Sequence, residues 1–368
     1  MTSFTDDDDS RSLRSLADYE RAALPTMSPE ARSYIEGGAA DEITLGDNVA
    51  AWARLALRPR VLAGPAACDL QVQLLGATRA HPILVAPTAF QQLAHPDGEI
   101  AIAQAAAATD TLMCVSTLAS TGPAAVAQAV PDHPRWFQLY VFVDRGITHE
   151  LIRSAADHGY EALVVTVDRP VLGLREREWR SDVRDVSRRG PSAPAPAAGD
   201  PEQGTPPADY SALIDGDLRW SDIERFVAES PLPVLVKGIL TAEDAELAIQ
   251  HGARGIIVSN HGGRQLDTAL SGADALAPIA DAVAGRIDVL VDGGIRRGTD
   301  VVKALALGAR AVLVGRPLTW GLALGGARGA QHVLEILLDE LRNALVLSGC
   351  PRAADLDRNY VTPAPWAR

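Results

Sequence analysis

Residues 259–267 read Ser-Asn-His-Gly-Gly-Arg-Gln-Leu-Asp and form the strongest chemical pattern in the sequence. His261 is followed by two glycines, and Arg264 comes three residues after it. An imidazole can accept a proton, and a guanidinium can bind a carboxylate through two parallel hydrogen bonds. In a distant segment, Asp168 could orient the imidazole and stabilise its protonated form. These residues predict acid–base chemistry on a substrate that carries a carboxylate.

Two further segments predict an anion site. Gly293 and Gly294 follow Asp292, and Gly315 precedes Arg316. Glycines let the backbone approach a ligand closely, and exposed N–H groups at a helix N-terminus favour negative charge. Guanidinium groups add forked donors, so the segments predict a phosphate site.

Lys237 ends an apolar run and predicts a cation in the same region. Such an ammonium could form a Schiff base, or it could stabilise negative charge that develops on a cofactor ring. The residue alone does not decide between the two.

Short apolar runs alternate with Ala-rich amphipathic segments along most of the chain. Runs that are apolar nearly throughout are typical of parallel strands covered on both faces. The eight runs span residues 82–86, 111–116, 136–140, 162–167, 233–237, 255–259, 288–292 and 311–315. Eight strand–helix units predict an α/β fold, a closed (β/α)8 TIM barrel. The alternative is an open doubly wound sheet, but residues 86–89 are not the Gly-rich fingerprint that such a sheet carries after its first strand.

Polar residues or glycines follow every predicted strand. The carboxyl ends of barrel strands meet at one rim, where the chemistry of this fold is located. The residues at these ends are Thr88, Ser116, Gln138, Tyr140, Thr166, Asp168, Lys237, Ser259, His261, Asp292 and Gly315. We therefore expect a single site at that rim.

The remaining segments predict one domain with two irregular parts. Residues 1–14 are acidic and Ser-rich and predict a disordered tail, and residues 15–368 predict a single barrel domain that opens with an N-terminal helical extension. Residues 176–217 predict a long mobile loop after the fourth strand, rich in Pro, Ala and Gly. This loop is either an active-site lid or an inert insertion.

Composition excludes several classes of protein. The 368 residues include 34 Lys+Arg and 47 Asp+Glu, a net charge of −13 that argues against a nucleic-acid binder. No apolar stretch is long enough to span a bilayer, and the loop has no apolar or basic face for a membrane. Three scattered cysteines predict neither a disulfide framework nor a metal site. With no secretory signal, we expect a cytoplasmic protein without a metal.

Several segments, in this order, resemble the FMN-dependent 2-hydroxy-acid oxidases and dehydrogenases. That family includes glycolate oxidase, lactate oxidase and dehydrogenase, and the mandelate and 4-hydroxymandelate enzymes. The segments that carry the resemblance span residues 86–99, 137–142, 232–240, 259–267 and 291–317. The resemblance implies FMN as cofactor, oxidation of an L-2-hydroxy acid to the 2-oxo acid, and a homotetramer.

The resemblance also implies roles for single residues. His261 would be the base and Asp168 would steady its protonated form. By the same resemblance, Arg264 and Arg175 would bind the substrate carboxylate. The hydroxyls of Tyr34 and Tyr140 would contact the carboxylate and the reacting hydroxyl. Lys237 would lie beside the pyrimidine edge of the flavin and stabilise its anionic reduced ring. The other implied flavin contacts are Thr88, Ala89, Ser116, Gln138, Thr166 and Ser259, with Asp292 at the ribityl chain and Gly293, Gly294, Arg296, Gly315 and Arg316 at the phosphate.

Two positions depart from the family pattern. Leu118 stands where many relatives have a tryptophan beside the substrate, which predicts a reshaped pocket for an aromatic or larger aliphatic acid. Arg169 stands where relatives usually have a small residue, and the sequence offers no physical reason for it. By analogy, Ala89 at the flavin face favours O2 as electron acceptor, which would make H2O2 the by-product.

Three alternatives remain open at this stage. The barrel could be a dehydrogenase that passes electrons to a quinone or another carrier. It could act on a peptide-derived or other substrate that is not a hydroxy acid. It could also be a non-catalytic barrel that only binds flavin or phosphate. The sequence does not distinguish hydride transfer from a carbanion mechanism.

Overall fold

Eight parallel strands form a closed barrel at the centre of the protein. The computed structural model describes residues 13–63, 67–180 and 213–367. The strands in these ranges are β1 (Leu55–Leu57), β2 (Val72–Leu74), β3 (Ala77–Arg79), β4 (Ile83–Val85), β5 (Met113–Ser116), β6 (Arg135–Leu139), β7 (Leu163–Thr166), β8 (Val234–Ile239), β9 (Gly255–Val258), β10 (Asp288–Asp292), β11 (Ala311–Val314) and β12 (Val361–Pro363). The barrel consists of β4 to β11 in chain order, and β11 pairs with β4 to close it. All eight predicted strands are confirmed, and the open sheet is excluded.

Helices surround the barrel and extend it at the N-terminus. They are α1 (Leu16–Ala23), α2 (Pro29–Glu36), α3 (Ile43–Ala53), α4 (Gly98–Ala108), α5 (Pro123–Ala129), α6 (Arg145–Asp157), α7 (Glu176–Arg180), α8 (Trp220–Glu229), α9 (Ala242–Gln250), α10 (Gly272–Val283), α11 (Gly298–Ala306) and α12 (Arg316–Ser348). Ser15 and Ser28 cap α1 and α2, because each hydroxyl accepts a hydrogen bond from a backbone N–H of the first helical turn. The last helix changes direction at Gly325 and Gly326, whose backbone angles are not helical.

The uniformly apolar strands separate two cores. Alternate strand residues point inwards, so Leu84, Trp136, Leu235 and Leu290 fill the barrel interior. The residues between them pack against the helices in a second, larger core. The hairpin of β2 and β3 places Leu74 against the interior cluster. The floor of the barrel is therefore packed, and its open end is the carboxyl end of the strands.

The structure covers only part of the two irregular segments. Of the predicted tail, residues 1–12 lie outside the described residues, while Leu13 packs against the core. Of the predicted loop, residues 181–212 lie outside them as well. Its ends have defined structure, since residues 176–180 form α7 and Ile214 bridges to Phe142. Within the described ranges, no helix combines the length and hydrophobicity needed to cross a membrane.

Candidate active site

The open end of the barrel contains a cavity that gathers nearly all of the predicted site residues. Among those lining it are Tyr34, Thr88, Ala89, Ser116, Leu118, Gln138, Tyr140, Thr166, Arg175, Lys237, His261, Arg264, Asp292, Gly293, Gly294, Arg296, Gly315 and Arg316. The remaining two, Asp168 and Ser259, touch lining residues from behind. These twenty residues are scattered in sequence, and most of them converge because parallel strands end at one rim of the barrel.

His261 and Asp168 form the central pair of this cavity. The imidazole Nδ1 lies 2.8 Å from a carboxylate oxygen of Asp168. Its Nε2 lies 3.2 Å from the hydroxyl of Tyr140. A carboxylate at Nδ1 accepts the ring N–H, so Nε2 is the nitrogen that can accept a proton in the cavity.

The backbone around His261 has an unusual conformation that aims this side chain. The φ angle of His261 is +60°, in the left-handed region, and Gly262 and Gly263 continue it. The His261 N–H donates to the hydroxyl of Ser259. Asn260 exchanges two amide hydrogen bonds with Asn48 on α3, which ties the loop to the N-terminal extension.

Burial and charge set the protonation states of the pair. Burial, assisted by Lys237 and Arg175, lowers the pKa of His261 below its ordinary value although Asp168 opposes the shift. Burial alone would raise the pKa of Asp168, but His261 and Lys237 hold it below its usual range. At neutral pH the pair is therefore a neutral imidazole beside a carboxylate, the state that a base requires.

Gly238 makes room for Asp168. A Cβ at this position would lie 2.6 Å from the Cβ of Asp168, and the φ of Gly238 is +112°. The pairing of β8 with β9 shifts register at the same point, between Lys237 and Ile239. The glycine thus lets the end of β8 pass directly behind the catalytic candidate.

We expect Gly238→Ala to displace Asp168 from His261. Misplacing a catalytic group by about 1 Å costs about 100-fold in rate, so kcat/KM should fall by that order. Steady-state kinetics on FMN-loaded protein measures it. Gly76→Ala is the matched control, because Gly76 also has a positive φ, at +79°, but nothing within 4 Å of its Cβ position. A Gly238→Ala enzyme with the activity of Gly76→Ala would contradict the expectation.

Two arginines and two tyrosines line the side of the cavity nearest α2 and α7. The Arg264 guanidinium lies 4.8 Å above the Tyr34 ring and donates to the carbonyls of Tyr34 and Gly37. Burial, assisted by Arg264, lowers the pKa of Arg175 to about 10, so it stays charged at neutral pH. Burial raises the pKa of Tyr34 and of Tyr140, so both phenols keep their protons and can donate them.

Glu178 interacts with both of these arginines, and the sequence did not indicate it as a site residue. Its carboxylate accepts from Arg264 at 2.8 Å and lies 3.6 Å from Arg175. A bound carboxylate must share the two guanidinium groups with it or displace it. The available sequence signal was the spacing of three residues from Arg175, which directly precedes α7, to Glu178 within it.

The opposite end of the cavity is rich in buried cations. Burial and the nearby Arg264 lower the pKa of Arg316 to about 9. Arg316 donates to three backbone carbonyls, those of Ile35, Gly37 and Gly262. Arg296 stacks on Trp320 at 4.9 Å, and burial lowers its pKa as well. Buried guanidinium groups with lowered pKa values are stabilised by an anion, as a phosphate would provide.

Gly293 and Gly294 have a packing role in addition to the predicted contact with a phosphate. A Cβ on Gly294 would lie 1.7 Å from the Asn48 carbonyl, and one on Gly293 would lie 3.1 Å from its side chain. Both φ angles are positive. These glycines therefore allow α3 to pack against the phosphate end, besides lining the cavity.

Between the two ends, buried polar groups fit a flavin. Ser116, Gln138 and Thr166 form a hydrogen-bonded row across β5, β6 and β7. Lys237 donates to Ser259 at 2.6 Å and pairs with Asp292 at 3.0 Å. The second oxygen of Asp292 is buried and has no hydrogen-bond partner among the described residues. A polar ring edge and a sugar-like chain would satisfy these groups, so the residues present fit FMN.

The pair of Lys237 and Asp292 also bears on the Schiff-base alternative. Burial would lower the pKa of Lys237, but Asp292 and Asp168 outweigh it and raise the pKa. A nucleophilic amine must lose its proton, whereas this lysine stays charged. The geometry therefore favours charge stabilisation over a Schiff base.

Comparisons with known proteins agree with this combination of barrel, anion site and buried base. A family model described as FMN-dependent dehydrogenase matches residues 23–363. The chain is 44% identical to an L-lactate oxidase of Nostoc sp., covering 94% of this chain and 97% of that protein. It is 43% identical to human 2-hydroxyacid oxidase 2, with 95% and 98% covered. A solved structure of mandelate oxidase superimposes with a TM-score of 0.85 at 40% identity, covering 95% of this chain and 98% of the other.

The fold and cavity define a flavin-dependent oxidoreductase built on a TIM barrel. The chain belongs to the FMN-dependent dehydrogenase family, and FMN is its cofactor. It is an enzyme of the 2-hydroxy-acid oxidase group within that family, so a non-catalytic barrel is excluded.

Proposed function

We propose that this enzyme oxidises an L-2-hydroxy acid to the 2-oxo acid with His261 as base and O2 as electron acceptor. The observation that carries the proposal is the placement of the His261–Asp168 pair and two buried arginines in one cavity. FMN, when bound, accepts the two electrons that the substrate loses and passes them to O2, which becomes H2O2. The relatives compared above are named as oxidases, which supports O2 rather than a quinone.

Residues of this chain have separate roles in binding the substrate and in moving its proton. Arg264 and Arg175 bind the 2-carboxylate, and the Tyr34 hydroxyl donates a hydrogen bond to it. Nε2 of His261 takes a proton from the substrate, and Asp168 stabilises the imidazolium that results. Tyr140, 3.2 Å from Nε2, donates to the reacting oxygen. Lys237 holds positive charge near the site that receives electrons.

The residues that would hold FMN follow from the same cavity. Arg316, Arg296 and the glycines of two loops, Gly293 and Gly294 after β10 and Gly315 after β11, would hold the phosphate. Thr88, Ala89, Ser116, Gln138, Thr166 and Lys237 would contact the ring, and Asp292 would contact the ribityl chain. Ser259, for which a flavin contact was predicted, is buried behind the lining and would support Lys237 instead.

The side chain of the substrate would lie against an apolar cluster. Phe90, Leu118, Tyr140, Phe142 and Ile214 pack together beside the cavity. A leucine at position 118 leaves more room than an indole would, so we propose a side chain larger than a methyl group, aromatic or aliphatic.

Anaerobic reduction of the flavin tests this function. Mixing the FMN-loaded enzyme with a panel of (S)-2-hydroxy acids should bleach the flavin absorbance, and readmitted O2 should restore it with one H2O2 per turnover. Absence of bleaching with every acid would refute the proposed reaction. Bleaching followed by reoxidation with a quinone but not with O2 would refute only the acceptor.

Asp168→Asn should change both the rate and its pH dependence. Asp168 raises the pKa of His261, so its loss lowers that pKa further and moves the acidic limb of kcat/KM to lower pH. The rate above the limb should fall about 100-fold or more, because the imidazolium loses its carboxylate. A pH profile measures both effects. Asp110→Asn, distant at the other barrel end, is the control, and a limb that moves to higher pH would contradict the assignment.

We further propose a homotetramer in a reducing cytoplasm. Cys68, Cys114 and Cys350 are all free, which supports a reducing compartment. Light scattering coupled to size exclusion measures the assembly, and a monomeric mass would refute the tetramer.

A further inference from the structure

Arg169, which the sequence left unexplained, lies in the wall of the candidate active site. Its residue surface is only 8% exposed, and it lines the cavity together with Leu118 and His261. The guanidinium lies 4.9 Å above the ring centre of Tyr140, whose hydroxyl is 3.2 Å from Nε2 of His261. A third guanidinium therefore lies one aromatic ring away from the proposed base.

The position of Arg169 differs from that of the other two arginines. Arg264 stacks on Tyr34 and binds Glu178, whereas Arg169 stacks on Tyr140. A guanidinium stacked on a ring directs its N–H groups outwards in its own plane, where a carboxylate can accept two parallel bonds. The cavity therefore presents guanidinium groups over the rings of two different tyrosines.

The lining of the cavity is also strongly cationic. Six cationic side chains line it, namely Arg169, Arg175, Lys237, Arg264, Arg296 and Arg316, against the two carboxylates of Glu178 and Asp292. Such a lining favours ligands that carry several negative charges.

We propose that Arg169 binds a second carboxylate at the far end of the substrate, which makes (S)-2-hydroxy dicarboxylic acids the preferred substrate class. This inference rests on the proposed oxidation at His261. The 2-carboxylate binds at Arg264 and Arg175, and the connecting methylene groups pack on Leu118 and Phe90. The distal carboxylate then lies beside the Arg169 guanidinium, which donates hydrogen bonds to it in an ion pair.

Matched substrates isolate the distal charge. We compare kcat/KM for (S)-malate and for (S)-2-hydroxyglutarate, each against the analogue in which an isopropyl group replaces the distal carboxylate. For at least one chain length the diacid should be preferred about 10- to 100-fold, the range expected for a charge-assisted pair. Flavin absorbance perturbation should show the same preference in the binding of the corresponding 2-oxo acids.

Three variants assign the preference to Arg169. Arg169→Met should bring the ratio of diacid to isopropyl analogue close to one, while Arg169→Lys should keep part of it. The ratio of the two kcat/KM values is used because losing the contact between Arg169 and Tyr140 affects both substrates alike. Arg177→Met is the control, since Arg177 follows Arg169 closely in sequence, on α7, but pairs with Glu42 outside the cavity. Arg177→Met should retain the wild-type ratio.

The outcomes separate this inference from the proposed function. Preference of the wild-type enzyme for the isopropyl analogues at both lengths would overturn it, and so would oxidation of mandelate with neither diacid used. A ratio unchanged in Arg169→Met would also overturn it. The wild-type measurements decide the matter even where a variant does not fold. Failure of every hydroxy acid to bleach the flavin would instead refute the reaction at His261.

Discussion

Replacing His261 by asparagine should abolish most substrate oxidation while the flavin stays bound. Asparagine is chosen because His261 has a φ of +60°, a conformation that asparagine tolerates better than alanine does. It removes the ring nitrogen that lies 3.2 Å from the Tyr140 hydroxyl and puts an amide, which is not basic, in its place. Loss of a general base costs about 100- to 10,000-fold, so the rate constant of anaerobic flavin reduction should fall by that range.

The controls for this variant test the role of His261 as distinct from its place in the fold. His149→Ala removes a partly exposed imidazole on α6, outside the cavity, and should reduce flavin at the wild-type rate. The visible spectrum of His261→Asn should still be that of bound FMN, because the cations at the phosphate end are untouched. Flavin reduction at the wild-type rate in His261→Asn would mean that another group removes the proton.

Replacing Arg316 by methionine should weaken FMN binding strongly. Arg316 is buried at the phosphate end and is surrounded by Arg264, Arg296 and Arg175, so it is stabilised by an anion more than an exposed arginine would be. A charge-assisted pair with phosphate predicts a dissociation constant that rises about 10- to 100-fold. Fluorescence titration of the apoprotein with FMN measures it.

Riboflavin separates the phosphate from the other contacts of Arg316. The side chain also donates to the carbonyls of Ile35, Gly37 and Gly262, and the loss of these bonds weakens both flavins alike. The preference for FMN over riboflavin should therefore shrink in Arg316→Met and be retained in Arg297→Met, whose partly exposed guanidinium pairs with Glu340. Equal weakening of both flavins would show that Arg316 acts on the backbone alone.

The barrel was accessible from the sequence because its signal is local. Each strand is a short run buried on both faces, and each run is followed by a polar residue or glycine at the rim. The order of strands in a closed parallel barrel equals their order in the chain, so recognising eight units also predicts which ends converge. The residues 259–267 and 291–317 could then be assigned to neighbouring exits without any coordinates.

Features that depend on contacts between distant segments were not accessible in this way. Helix α3 showed no distinct sequence signal, yet its Asn48 supports the loop of His261 and explains Gly294. Nothing near Gly238 in sequence indicates that Asp168 passes against it. The last helix begins at Arg316, at the phosphate end of the cavity, bends at Gly325 and Gly326, and packs on α4 and α11.

The sequence by itself determined the kinds of chemical group present, the barrel that carries them and the end of the barrel at which they meet. Periodicity and residue type decide these properties, and both act over a few neighbouring residues. Only the tertiary structure decided which groups touch. It set Glu178 against Arg264, Arg169 above Tyr140, and Lys237 between Ser259 and Asp292. Those pairings depend on side-chain directions and on burial, which are properties of the packed chain and not of any one segment.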